Sequence, residues 1–276
     1  MTETDSVAAI TAAAKQLLGD TGTRLDVELL LSHCLGLSRT ALLARSDQKI
    51  SPNQFKLFQA LLEQRRAGVP LAYLVQKQSF WKSEINVTAD TLIPRPDTEL
   101  LIATILERWG SPHRTLIDLG TGSGAIAVSL AKERPNWTII GSDHCNRALS
   151  VAQSNGRDLD NLCWVQADWL TSFAQNKFDI IVANPPYIAP NDPHLHALRY
   201  EPRQALVAAD HGLEDLKTII AQAKRHLTKT GHLLLEHGYN QQSAVIEAMN
   251  NRGWHCEGLR DLSGNPRAVL GQLGES

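Results

Sequence analysis

The chain lacks the features that mark membrane-spanning, secreted and metal-binding proteins. No apolar run in its 276 residues is long enough to cross a bilayer. The acidic N-terminus has no basic region of the kind that begins a signal peptide. Its four cysteines form no C-x-x-C pair, and its ten histidines form no H-E-x-x-H spacing. We therefore expect a cytoplasmic protein with free thiols, no metal and no membrane association.

The sequence also lacks the positive charge of a dedicated nucleic-acid-binding protein. Its formal net charge is −2 at pH 7, whereas such proteins usually carry a basic stripe and a high isoelectric point. Hydrophobic residues make up 43% of the chain, which is typical of a globular protein with a packed core. The composition therefore predicts no stable nucleic-acid binding, and the motifs must indicate the function.

The first part of the sequence predicts helices. Three segments have apolar residues at helical spacing: residues 5–18, 24–35 and 51–67. Ser51 and Pro52 have the residue types of a helix cap and first helical position. These segments contain no cluster of site-like residues. We predict a small helical bundle over residues 1–78 that recognises a protein partner, followed by a β-hairpin linker over residues 79–96.

From residue 97 to residue 276, strand-like and helix-like segments alternate, as in a parallel sheet covered by helices. Seven segments are predicted as strands: residues 115–119, 137–142, 162–166, 178–183, 231–236, 254–260 and 268–273. Too few residues separate the last two for a helix, so they should pair as a hairpin with the final strand antiparallel. The predicted fold class is α/β and Rossmann-like, with a seven-stranded, mostly parallel sheet.

A glycine-rich loop follows the first of these strands and precedes an apolar helix. Its residues are Gly120, Thr121, Gly122, Ser123 and Gly124. Glycines permit a sharp turn and let a ligand approach the backbone closely. The G-x-G-x-G spacing differs from the G-x-G-x-x-G of dinucleotide-binding proteins, which counts against a nicotinamide-binding protein. Asp118 stands just before the loop, and its carboxylate is suited to an amino group of the ligand.

The next two strands also end in residues with the chemistry of a binding site. Asp143 ends the second strand, where a carboxylate can accept hydrogen bonds from both hydroxyls of a ribose; Asp is also a common helix cap. Asp168 and Trp169 follow the third strand, and offer an acceptor for an adenine amino group and a ring to cover the base. Trp169 also fits a place in the core. We expect these strand ends to bind one nucleoside-containing cofactor.

The most specific motif is Asn184-Pro185-Pro186-Tyr187, directly after the strand at residues 178–183. The prolines have no N–H and restrict φ, so the backbone is stiff and presents carbonyl oxygens. Tyr187 adds a flat face on which a planar group can stack. Asn-Pro also begins ordinary turns, but the whole tetrapeptide after a buried strand predicts a substrate clamp for a planar –NH2 group. Asn184, Pro185 and Tyr187 are the candidate catalytic residues, and Asn184 also borders the predicted cofactor site.

These residues resemble those of class I S-adenosylmethionine-dependent methyltransferases. More narrowly, the chain resembles the protein-(glutamine N5) methyltransferases that modify peptide chain release factors, the HemK/PrmC family. The motifs that carry the resemblance are at residues 92–99, 118–124, 184–187, 200–202 and 264–267. The resemblance implies S-adenosylmethionine as cofactor and class 1 peptide chain release factors as substrates. The methyl acceptor would be the glutamine of their Gly-Gly-Gln motif.

An alternative remains open, because Asn-Pro-Pro-Tyr is shared with DNA adenine-N6 methyltransferases. An enzyme that acts on DNA or RNA must hold a flipped base and the phosphate backbone, and no basic recognition domain is evident in the sequence. In the favoured interpretation, the Asn184 Oδ1 and the Pro185 carbonyl accept the two amide hydrogens of a glutamine. This mechanism requires no nucleophilic side chain, and no dedicated general base is evident.

Overall fold

The computed structural model of the chain describes residues 6–19, 22–110 and 112–273. The chain separates into two compact units, Met1–Lys77 and Gln78–Ser276. In the described residues, no helix combines the length and the apolar character needed to cross a bilayer.

The described part of the first unit contains five helices: α1 (Val7–Leu18), α2 (Arg24–Leu35), α3 (Arg39–Ala44), α4 (Pro52–Arg66) and α5 (Leu71–Val75). Ser51 caps α4 and Pro52 occupies its first turn, as predicted. The sequence prediction missed α3 and α5, because segments of six and five residues are too short to show a helical period. Residue 5, where the first predicted helix begins, lies outside the described residues.

Near the start of the second unit, β1 (Lys77–Phe80) and β2 (Ser83–Asn86) form a two-stranded sheet. The predicted boundary after residue 78 falls inside β1, because strand pairing extends beyond the short alternation visible in the sequence. A 3-10 turn at Pro96–Thr98 then leads into α6 (Glu99–Arg108). The α-helix itself begins only at Glu99, because the proline-led turn before it is tighter than an α-helix.

The main sheet of the second unit has seven strands: β3 (Thr115–Leu119), β4 (Thr138–Asp143), β5 (Leu162–Gln166), β6 (Phe178–Ala183), β7 (Leu227–Glu236), β8 (Trp254–Arg260) and β9 (Pro266–Leu273). Their spatial order is β5-β4-β3-β6-β7-β9-β8. β9 pairs antiparallel with both β7 and β8, while the other pairs are parallel. This arrangement confirms the predicted fold class.

Five further helical segments follow strands of this sheet: α7 (Ala125–Glu133), α8 (Asn146–Gly156), the short turn α9 (Ala209–Gly212), α10 (Glu214–His226) and α11 (Gln242–Asn250). Fully buried side chains such as Ile117, Ile181 and Leu233 form the core beside the central strands. The strand order reverses at β3, which lies between β4 and β6. In an open α/β sheet, ligands bind outside the carboxyl ends of the strands at such a reversal.

Candidate active site

A cavity of about 300 Å³ lies at the carboxyl ends of the central strands. Seven of the residues that the sequence singled out line it: Gly120, Gly122, Asp143, Asp168, Trp169, Asn184 and Pro186. They lie at the ends of β3, β4, β5 and β6 or in the loops that follow, so the ends of four strands build one site. The other predicted residues do not line this cavity: Asp118, Thr121, Ser123, Gly124, Pro185 and Tyr187.

All three glycines of the loop after β3 have positive φ, and the surroundings of Gly122 differ from those of Gly124. A Cβ on Gly122 (φ 56°) would meet no atom closer than the Gly120 carbonyl oxygen, at 4.0 Å, so the missing side chain leaves open space at the cavity. A Cβ on Gly124 (φ 81°) would lie 2.7 Å from the Trp164 ring. Gly122 therefore keeps the site accessible, and Gly124 is required for packing behind it.

Asp118 anchors this loop and the start of α7 through hydrogen bonds. Its Oδ2 accepts hydrogen bonds from the Thr121 hydroxyl at 2.6 Å and from the Ala127 amide at 3.3 Å. The side chain is buried, and burial raises the pKa of the carboxyl to about 7. One oxygen is thus committed to the loop and to the first turn of α7. A contact with the amino group of a ligand stays a prediction.

Asp143 connects the loops after β3 and β4. Its Oδ2 accepts from the Gly122 amide at 2.9 Å, and its Oδ1 accepts from the Cys145 amide at 2.9 Å. Each oxygen of an ionised carboxylate has a second acceptor site. Asp143 therefore holds both loops and can still accept hydrogen bonds from hydroxyls in the cavity that it lines.

Trp169 both packs against the core and lines the cavity, so the two interpretations of this residue are compatible. Its backbone has a φ of 45°, and its ring lies 3.3 Å from the position that a Cβ on Gly120 would take. Hydrogen bonding from the Trp169 side chain lowers the pKa of Asp215, whereas burial has the larger effect and raises it. Asp215 and Trp169 both line the cavity.

The sequence prediction missed nine lining residues: Asp90, Thr91, Leu92, His144, Cys145, Ala148, Gln204, Ala205 and Asp215. Most belong to loops without periodicity, so no pattern connects them with the strand ends. Leu92 begins one of the motifs that carry the family resemblance, which is the signal that could have extended the site to residues 90–92.

The clamp Asn184–Tyr187 is held by side chains from distant parts of the second unit. The Asn184 Nδ2 donates to the Thr98 Oγ1 at 3.0 Å. The Tyr187 hydroxyl donates to the Glu236 Oε1 at 3.3 Å, and the Tyr187 carbonyl accepts from the Gln241 Nε2 at 3.0 Å. The start of α6, the end of β7 and the residue before α11 therefore brace the motif.

Glu201 joins the loop after the clamp to the segment before α6. Its Oε1 pairs with Arg95 at 2.5 Å, and its Oε2 accepts from the Ile93 amide at 3.1 Å. Arg267 pairs with Asp97 at 3.0 Å. Together with the Asn184–Thr98 bond, these contacts bring together four of the motifs that carry the resemblance, although up to 175 positions separate them in the sequence, from Leu92 to Arg267.

Comparison with known proteins agrees with this arrangement. Residues 95–252 match the family described as the methyltransferase small domain, and residues 8–75 match the PrmC N-terminal domain. A methyltransferase from Pyrococcus furiosus shares the fold with a TM-score of 0.54 and 16% identity, over 79% of this chain and 98% of that chain. By fold and domain composition, the chain is a Rossmann-like methyltransferase.

Two curated relatives define the family more closely. The release factor glutamine methyltransferase of Escherichia coli (strain K12) is 43% identical over 265 residues, which cover 94% of this chain and 96% of the relative. That of Pseudomonas aeruginosa is 43% identical over 262 residues, which cover 93% and 95% of the two chains. The chain belongs to the release factor glutamine methyltransferase family.

The cavity fits the cofactor of this class, S-adenosylmethionine. Four carboxyl side chains line it: Asp90, Asp143, Asp168 and Asp215. Carboxylates suit both the positive sulfonium and the hydrogen-bond donors of the ribose and adenine. The Trp169 ring supplies an apolar surface for a base, and Gly122 leaves the space open. The cavity thus combines hydrogen-bond acceptors, an aromatic surface and free space for a ligand.

Proposed function

We propose that this chain transfers the methyl group of S-adenosylmethionine to the side-chain amide nitrogen of the glutamine in the Gly-Gly-Gln motif of class 1 peptide chain release factors. One observation carries the proposal. Asn184 lines the cofactor cavity, and its Nδ2 is bound to Thr98. Its Oδ1 is therefore the atom that can accept a hydrogen bond from a substrate –NH2 group.

The residues that would hold the cofactor lie around the cavity. Asp143 would accept hydrogen bonds from the ribose hydroxyls, while Asp168 and Trp169 would hold the adenine. When bound, S-adenosylmethionine supplies an electrophilic methyl group on a positively charged sulfur. Asn184 borders both the cavity and the clamp, so the acceptor amide would lie beside the cofactor.

The protein must compensate for a weak nucleophile, because the lone pair of an amide nitrogen is delocalised into its carbonyl. The Asn184 Oδ1 and the Pro185 carbonyl would accept the two amide hydrogens, and Tyr187 would stack on the amide plane. These hydrogen bonds strengthen as the nitrogen gains positive charge, so they favour the transition state over the ground state. Orientation of the two reactants can lower the barrier by about 7–11 kcal/mol.

The first unit, Met1–Lys77, would recognise the protein substrate, because the predicted cofactor and clamp residues all lie in the second unit. Gly-Gly suits the acceptor loop, since two residues without side chains can enter a narrow site and adopt turns closed to other residues. We place the activity in the cytoplasm, without stable nucleic-acid or membrane binding. Removal of residues 1–75 should leave S-adenosylmethionine binding intact but reduce methylation of a whole release factor.

Labelled S-adenosylmethionine tests the substrate directly. The chain should transfer label to a class 1 release factor, and a Gln→Ala variant of the Gly-Gly-Gln loop should receive none. Duplex DNA and RNA should stay unlabelled at physiological salt, because the net charge of −2 offers little attraction to phosphates. Labelling of adenine without labelling of the release factor would favour the alternative that the shared Asn-Pro-Pro-Tyr motif leaves open.

A further inference from the structure

We propose that Glu201 is a positioning residue that ties two walls of the cofactor cavity together and thereby slows the release of S-adenosylmethionine. The first wall is the segment at residues 90–95, and the second wall is the loop at residues 188–206 that follows the clamp. The inference rests on the proposed function, because it takes the cavity to be the place where the cofactor is held. It adds to that function a role for a buried carboxylate that does not line the cavity.

The first wall has no helix or strand of its own. Residues 87–95 lie between β2 and the turn at Pro96–Thr98 without regular secondary structure. Asp90, Thr91 and Leu92 nevertheless line the cavity. Because no helix or sheet ladder holds such a segment in place, its position depends on the other contacts that bind it.

The second wall leaves the clamp and returns beside it. Its ends are joined, because the Ile188 amide donates to the Leu206 carbonyl at 2.9 Å and the Ala208 amide donates to the Ile188 carbonyl at 3.0 Å. Gln204 and Ala205, near the returning end, line the cavity. The second wall is thus a loop with closely spaced ends, and its position at the cavity depends on the contacts of the residues between them.

Glu201 belongs to the second wall and binds the first. Its Oε1 accepts from the Arg95 Nη2 at 2.5 Å, and its Oε2 accepts from the Ile93 amide at 3.1 Å. The Glu201 side chain is only 3% exposed, whereas that of Arg95 is 35% exposed. A buried carboxylate needs such partners, because removal of a charge from water is costly unless hydrogen bonds and a counter-ion compensate for it. Both bonds therefore favour the arrangement in which the two walls meet.

The bonds of Glu201 lie close to the cavity lining in the sequence on both sides. Ile93 directly follows Leu92, and Glu201 precedes Gln204 by three positions. Separation of the walls would therefore move lining residues away from a bound cofactor. A cofactor that loses contacts with one wall dissociates faster, while its entry into the cavity is not slowed. Loss of Glu201 should thus change the dissociation rate more than the association rate.

The dissociation rate of S-adenosylmethionine is the direct test, measured by chasing bound labelled cofactor with unlabelled cofactor. Glu201→Ala removes both bonds and should raise this rate roughly ten- to a hundredfold, because the bonds involve a charged group. Glu201→Gln keeps an acceptor for the Ile93 amide without the charge, so its effect should be smaller. The exposed ion pair of Glu257 with Arg108 supplies the matched control, and Glu257→Ala should leave both rates unchanged.

Variants of Arg95 separate positioning from a general loss of structure. Arg95→Ala should raise the dissociation rate in the wild-type background but add little in Glu201→Ala, since the ion pair is already lost there. Arg95→Lys should keep dissociation slow, because a single guanidinium nitrogen makes the contact. In steady-state kinetics of Glu201→Ala, the KM for S-adenosylmethionine should rise, whereas kcat at saturating cofactor should not fall.

Limited proteolysis without cofactor reports whether the two walls separate. Trypsin cleavage after the exposed Arg203, beside the cavity-lining Gln204, should be faster in Glu201→Ala than in the wild type. Cleavage after the exposed Arg252, which follows α11, should be the same in both proteins.

These measurements keep this proposal distinct from the proposed function. If the wild type binds S-adenosylmethionine but methylates no release factor, the proposed function fails, and the dissociation rates still decide the role of Glu201. Wild-type dissociation rates in both Glu201→Ala and Arg95→Ala would overturn the positioning role, as would unchanged cleavage after Arg203. If Glu201→Ala does not fold, Glu201→Gln and Arg95→Ala decide the question by the same rates.

Discussion

The cofactor cavity and the clamp Asn184–Tyr187 lie side by side but are built in different ways. Around the cavity, carboxylates bind backbone amides of their own and neighbouring loops, as Asp143 does with Gly122 and Cys145. At the clamp, side chains bind partners that are distant in the sequence: Asn184 binds Thr98, and Tyr187 binds Glu236. The cavity therefore depends on residues at the strand ends, whereas the clamp depends on contacts between segments that are distant in the sequence.

This difference indicates a division of work. Backbone-anchored carboxylates at a cavity wall bind a ligand whether or not it reacts, so their loss should weaken binding. Loss of a preorganised acceptor that contacts only the reacting group should mainly lower turnover. Variants in the two regions should thus separate cofactor affinity from the rate of methyl transfer.

Asn184→Ala should have the largest effect. Removal of one preorganised partner of the transition state typically lowers the rate ~10²–10³-fold, and we expect a loss of that size in the single-turnover rate of methyl transfer. Calorimetry should show only a small change in S-adenosylmethionine affinity. Asn250→Ala, an exposed residue at the end of α11, is the control. Equal losses of affinity and rate would remove the distinction between cavity and clamp.

Asp143→Ala should have the opposite signature. Charge-assisted hydrogen bonds contribute roughly 1.5–3 kcal/mol, so the affinity for S-adenosylmethionine should fall about ten- to a hundredfold. At saturating cofactor, the transfer rate should recover much of its wild-type value. Asp158→Ala removes an exposed carboxylate outside the cavity and should change neither quantity. An unchanged dissociation constant for Asp143→Ala would contradict the assignment.

Gly122→Ala and Gly124→Ala sharpen the comparison within one loop. At Gly122 (φ 56°) the added methyl group has free space toward the cavity, so it should weaken cofactor binding, and the positive φ alone should lower the free energy of unfolding by about 1–2 kcal/mol. At Gly124 (φ 81°) the same methyl group also meets Trp164, so the loss of stability should be larger by a further ~1–3 kcal/mol. Thermal denaturation and calorimetry on both variants check this, and similar effects of the two substitutions would refute it.

The pH dependence of stability should be the smallest effect. The pKa values of Asp118 and Glu236 are about 7 in the folded protein, above their ordinary values of 3.8 and 4.5. The folded state thus holds these protons to higher pH than the unfolded state does, so both groups stabilise the fold at low pH, and this contribution is lost as pH rises through about 7.

The melting temperature should accordingly fall by a few degrees between pH 5 and pH 8. The double variant Asp118→Asn, Glu236→Gln has no carboxyl to titrate at these positions, and its melting temperature should depend less on pH over this range. A wild-type melting temperature that rises over the same range would show that other groups dominate.

The sequence predicts the fold and the cavity better than the contacts that hold the clamp, for a physical reason. Parallel strands place their carboxyl ends at one edge, so Gly122, Asp143 and Asp168 could be brought together from strand order alone. Periodicity does not reveal which loop packs on which strand end. The roles of Thr98, Glu201 and Glu236 therefore required the structure, as did the short helices α3 and α5.

The position of the transferred methyl group tests the central claim most directly. After incubation with S-adenosylmethionine, a class 1 release factor should be digested and the Gly-Gly-Gln peptide sequenced by tandem mass spectrometry. We predict one added methyl group on the side-chain amide nitrogen of that glutamine, and none in a reaction with Asn184→Ala at matched early times. A methyl group on any other residue, or an unmodified release factor, would contradict the account.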